Sequence, residues 1–181
     1  MEQHHIKETV SRRAIGLVYD ELVYEAGKVI YTKSHNLIVN KFYDLVGGLL
    51  KNEATFTGGI QYWAVGEGEG SSWDSLTPTE REAKSLPTLT GLYNEIARVP
   101  VTMSYLDSSL IPTLTITNRI QISASFGSAI SGYLREFAIF GGDATTSLNS
   151  GYMLNHKTHA VIPFNIGGGA SILNRMLRLI L

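Results

Sequence analysis

Cysteine is absent from the 181 residues, which removes disulfide staples, thiolate nucleophiles and zinc–sulfur sites at a stroke. Charge of one sign is equally scarce. Fifteen basic residues face sixteen acidic ones, a net charge of −1, so there is no electrostatic footprint for nucleic acid. Long apolar runs are missing too: none approaches the ~20 residues of a membrane helix. The opening MEQHHIKETVSRR is polar throughout and lacks the apolar core of an export signal. Catalytic signatures are few. The nucleophile elbow G-x-S-x-G does not occur. His156 and His159 would share a face on a helix but lie on opposite faces of a strand, and His4 and His5 sit in the polar start. No metal, cofactor, nucleic-acid partner or membrane insertion is therefore expected.

What is present reads as a folded β protein. A hydrophobic content of 44% against 17% charged residues is that of an ordinary globular domain. Residues 1–12 carry no periodic apolar pattern and are expected to form a mobile arm; residues 13–181 are expected to form a single domain. Residues 13–36 alternate around EAGK and predict a hairpin. In NLIVNKFYDLVGGLL the spacing of Phe42, Leu45, Val46, Leu49 and Leu50 predicts an amphipathic helix, capped by Asn40 or Asn36. Further strands are predicted over 58–66, in the later part of 89–107, over 114–126 and over 132–142. Pro100 marks an edge or a strand start. In 114–126 Leu114, Ile116, Ile120, Ile122, Ala124 and Phe126 share one face. The closing ILNRMLRLIL is open between helix and strand. As a strand it would place Leu173, Arg175, Leu177, Leu179 and Leu181 together. The predicted fold class is mainly β: an antiparallel β-sandwich with one short amphipathic helix.

The stretch YWAVGEGEGSSWDS raises the question of a phosphate loop. Such a loop needs a following helix and usually a lysine; here SSWDSLTPTE follows, and Glu67 and Glu69 would repel an anion. It is read as a bend. Glu136 alternates with Leu134, Ala138 and Phe140, so it points to an apolar face and needs a cationic partner. Arg98 is the first candidate, within a set of structural ion-pair residues that also includes Glu95 and Arg119. Tyr62, Trp63 and Trp73 are candidate aromatic anchors at an interface, with internal packing as the plain alternative.

In order along the chain, these signals resemble those of bacteriophage tail fibre and baseplate-associated proteins, including components of phage-derived contractile injection systems. SHNLIVNKFYDLVGGLL is similar to a strand stepping into a short helix, and IQYWAVGEGEG to a strand ending in an a-v-G-x-G turn. LTGLYNEIARVPV matches T-x-L-x-x-E-x-x-R through Leu92, Glu95 and Arg98. GYLREFAIFGG matches i-x-E-x-g-L-F through Glu136 and Phe140, with Ala138 where that pattern prefers glycine. The resemblance spans roughly residues 15–181. It implies a non-enzymatic virion component (fibre, baseplate, collar or adaptor subunit) that forms a homo-oligomer, a trimer being the expected form, and docks onto other tail proteins. Synthesis would be in the bacterial cytoplasm and the final location the virion tail. A reading from another class is a carbohydrate-binding module that uses the same three aromatics as a sugar platform. A glycan hydrolase comes third, for want of a credible carboxylate pair.

Overall fold

The computed structural model describes residues 15–24, 27–56 and 58–181; the expected arm, residues 1–12, lies outside them. Alternation builds the first hairpin as predicted. Strands β1 (Ile15–Tyr24) and β2 (Val29–His35) pair antiparallel, with Leu22 opposite Ile30 and Leu17 opposite His35. After the two-residue β3 (Leu37–Ile38) comes helix α1 (Asn40–Lys51). Its period is the predicted one, and Phe42 and Leu45 are buried. The N-cap is Val39, with no side-chain cap bond, rather than either asparagine. Leu49 and Leu50 face solvent because the helix runs past the edge of the core. Gly48 is a close approach: a Cβ there would collide with the ring of Phe56.

Strands β4 (Gly58–Gly66), β5 (Glu95–Pro100), β6 (Thr102–Leu106), β7 (Pro112–Thr113), β8 (Arg119–Phe126), β9 (Gly132–Gly142), β10 (Tyr152–Met153), β11 (Asn155–Phe164) and β12 (Ala170–Ile180) complete the described elements, with a single 3-10 turn (Gly70–Trp73) and a short helix α2 (Pro78–Glu82) before β5. The fold is mainly β, but the two separate sheets of an antiparallel sandwich are not what forms. The strands belong to one curled, mixed sheet whose main path runs β5-β4-β9-β11-β12-β8-β6-β7, with β1 joined to β12 and β2 to β1. The reason lies at 165–169. There Asn165, Gly167 and Gly168 adopt positive φ and turn the chain so sharply that β11 and β12 touch at one parallel pair, Phe164 with Ala170. Beyond that contact β12 runs antiparallel between β1 and β8. The result is a half-barrel with two antiparallel wings hinged at one point.

The wings share a core that includes Leu22, Trp63, Phe126, Phe137, Phe164 and Leu177. The terminal segment is a strand, and its alternation places Leu173, Arg175, Leu177 and Leu179 on the buried face; Leu181 is exposed. Pro100 closes β5, which stands at one end of the sheet path. Two expectations fail in instructive ways. The later part of 89–107 is two strands rather than one, β5 and β6, separated at Val101, whose N–H donates to the carbonyl of Gln61. The predicted strand 114–126 begins only at Arg119, and Leu114 and Ile116 protrude into solvent. No helix among the described residues is long and apolar enough to cross a membrane.

Candidate functional site

The segment between β4 and β5 folds back over the outer face of β4, β9 and β11 and covers a second apolar cluster, including Ala64, Leu92, Ala138, Phe140 and Met153. This is where the glycine loop lands. Glu136, fully buried on β9, accepts hydrogen bonds from the backbone N–H groups of Gly68 at 3.1 Å, Asn94 at 2.9 Å and Tyr93 at 3.2 Å. The loop does hold an anion, and that anion is the protein's own carboxylate. Gly66 has no room for a Cβ beside Glu136 and the carbonyl of Asn94, and Gly68, at φ +60, lies under the Trp73 ring. Both glycines are dictated by this contact.

The partner of Glu136 is His156, not Arg98. Nε2 of His156 lies 3.0 Å from Glu136 Oε2, and Nδ1 lies 2.8 Å from Ser85 Oγ. A carboxylate accepts only, so Nε2 carries the hydrogen toward Glu136; with a neutral ring Nδ1 accepts from Ser85. Hydroxyl, imidazole and carboxylate thus stand in the order that activates a serine in hydrolases. Here, however, the imidazole and carboxylate are fully buried, and the Ser85 N–H is held by the carbonyl of Glu82. The contacts tie the covering segment to β9 and β11.

Arg98 pairs instead with Glu95, through Nε at 2.6 Å and Nη2 at 2.8 Å, and both side chains are buried. Residues three apart on a regular strand face opposite ways. The register shift between Val65 and Gly66, opposite β5, is a bulge that brings the two side chains together. Arg98 Nη1 donates to Thr145 O, Ser150 O and Ser150 Oγ, its guanidinium lies 4.5 Å from the Phe140 ring, and Asn149 N–H donates to Glu95 at 2.7 Å. Carbonyl, hydroxyl and N–H groups thus surround the pair. Arg119 stands apart, half-buried at the start of β8, and forms no salt bridge among the described residues.

The aromatic candidates are placed inside rather than on a surface. Trp63 is in the main core against Phe137. Trp73 is buried over Gly68, meets Tyr93 edge-on and donates Nε1–H to Glu69 at 3.0 Å. Tyr62 is half-buried beneath Arg98. Their rings cannot form an exposed sugar platform together, because Trp63 packs into the main core while Trp73 is buried over the glycine loop on the other face of the sheet.

Sequence reasoning missed a second charged cluster, on the inner face. Arg175 is fully buried, with Nε 3.0 Å from Asp20 Oδ1 and its guanidinium 4.0 Å from the Phe137 ring. Its Nη2 donates to His159 Nε2 at 3.1 Å, and His159 Nδ1–H donates to the carbonyl of Ala160. Burial, and then the Arg175 charge, push the His159 imidazole down to about 3. The Arg175 Nε and Nη1 have no aligned acceptor. A lone arginine alternating with leucines was the signal. The two histidines of β11 serve opposite faces and separate clusters. Compared with known proteins, the chain matches no family model, no curated protein and no solved structure.

Proposed function

We propose that the protein is a non-enzymatic structural subunit of a phage tail or tail-like particle, which associates with itself and docks onto other particle proteins. The order of the sequence motifs supports the class. One observation carries the assembly role: in the segment joining β6 to β8, Ile111, Leu114 and Ile116 are 59%, 101% and 80% exposed. Leu114 and Ile116 continue the apolar alternation of β8 beyond the point where their own chain covers it, and Ile111 stands exposed just before β7. Such residues on a short edge element are a template for another chain. A symmetric homo-oligomer follows, with a trimer as the expected form. On this reading the buried Glu136, His156, Glu95 and Arg98 are ties rather than chemistry, no cofactor is used, and the protein resides in the tail of the virion.

Light scattering at micromolar concentration tests the proposal. Wild-type protein is expected as an oligomer, and the double change Leu114→Asp, Ile116→Asp as a folded monomer with an unchanged melting temperature. A monomeric wild type, or an oligomer indifferent to both changes, sinks it. The second reading, carbohydrate binding, loses the Trp63 and Trp73 platform but gains a different surface, on the outer face of β1, β8 and β12.

A further inference from the structure

On that face the strand register sets side chains in two rows. One reads Tyr31, Glu21, Asn174 and Ser125 across β2, β1, β12 and β8; the next reads Tyr19, Met176, Ser123 and Thr102 across β1, β12, β8 and β6. The row between them, with Asp20 and Arg175, turns its side chains to the opposite face. Its main chain is left as the floor of a trough of about 900 Å³. Four strands at ~4.8 Å spacing make it about 14 Å long, enough for a chain rather than a single ring.

The chemistry of the trough selects its ligand. Each of β1, β12 and β8 is hydrogen-bonded on both sides, so a peptide cannot add as a strand there, and recognition falls to side chains. Tyr31 is 72% exposed and offers a flat apolar plate. Its hydroxyl bonds Glu21, which also accepts from Asn174 Nδ2 at 2.7 Å. Both partners are neutral. The Asn174 carbonyl and the remaining lone pairs of Glu21 stay turned to the trough as acceptors, beside the hydroxyls of Ser123, Ser125 and Thr102. At the Tyr31 end an anion is repelled by Glu21. A cation finds Lys33 and Arg178 already over the Tyr19 ring, at 5.6 Å and 5.1 Å. What remains is a neutral molecule with many hydroxyl donors and an apolar C–H face.

We propose that this trough binds a neutral oligosaccharide chain laid across the strands, with Tyr31 as the stacking plate and Glu21 and Asn174 as acceptors for its hydroxyls. The proposal is independent of the particle reading. The test is an array of neutral and acidic glycans probed with the full chain, followed by titration calorimetry with the best neutral hit. Tyr31→Ala and Glu21→Gln are each expected to weaken binding about tenfold or more, as central contacts do. Tyr31→Trp should keep it, and Lys51→Ala, on α1, should change nothing. Melting temperatures of the variants should stay at the wild-type value, since both altered positions face the trough and solvent. Absence of any neutral hit at millimolar ligand, a preference for acidic glycans, or affinity unchanged in both Tyr31→Ala and Glu21→Gln would each overturn it.

Discussion

Two of the places where the protein buries charge lie on opposite faces of the layer formed by β9 and β11, and they treat it differently. On the outer face Glu136 is met by three backbone N–H groups and an imidazole, and Arg98 and Glu95 form a two-pronged pair backed by carbonyls and an N–H. On the inner face Arg175 touches Asp20 out of alignment and leaves Nη1 without an acceptor. The outer charges join distant pieces of chain: the glycine loop, the 93–95 turn and the 145–150 loop. The inner pair joins neighbours on adjacent strands, Asp20 opposite Arg175, which the ladder already holds. A buried charge adds organisation where it satisfies backbone that has no other partner. Where the ladder suffices it adds mainly desolvation cost.

The largest effect expected from breaking this contrast is at Glu136. Glu136→Gln turns an amide donor toward groups that themselves donate, and should cost about 3–5 kcal/mol, the range for stranding a buried network. Arg98→Met should cost a similar amount by stranding Glu95. The two losses should add, because these residues do not share a partner. Denaturant midpoints of the singles and the double decide: recovery in the double would show that Glu136 and Arg98 are coupled after all.

A smaller change, of opposite sense, is expected inside. Replacing Asp20 and Arg175 together by Asn and Met should leave stability unchanged or raise it by about 1 kcal/mol, as when buried pairs give way to packing. A loss above about 3 kcal/mol in the double would place this pair in the same category as the outer cluster.

At neutral pH the smallest effect is that of His159, which shows itself only as the pH falls. The His159 pKa of about 3 in the fold lies below the ~6.5 of an unfolded chain. Between those values the unfolded state binds more protons, so the stability His159 contributes is complete above pH 6.5 and falls away as the pH drops toward 3. Subtracting the pH profile of His159→Gln from that of wild type should isolate this slope; parallel profiles would remove the imidazole from the inner cluster.

How much of this could be read in advance depended on distance along the chain. The first hairpin, β4, β9 and the buried face of α1 follow from local period and were legible. The period of the last segment left helix and strand open, and only the strand form places Arg175 among Leu173, Leu177 and Leu179 on the buried side. The pairing of Glu95 with Arg98 was hidden because a bulge overrode the strand period. The pairing of Glu136 with His156 was hidden because it depends on how β11 lies against β9, with the register shift between Thr158 and Ile162. The outward turn of Leu114 and Ile116 contradicts a clean alternation, since a pattern states that a face will be covered but not by which molecule. The continuity of the sheet hung on the 165–169 turn alone.

The position of β12 also fixes an order of events during synthesis. A ribosome delivers β1 and β8 long before residues 170–180, yet those two strands are joined only through the strand that arrives afterward. A nascent chain that has not yet released that segment holds the apolar faces of Val18, Leu22, Ile122 and Phe126 without their cover. One wing therefore closes as a late, single event, and the vulnerable interval for aggregation is the time between translating β8 and freeing β12.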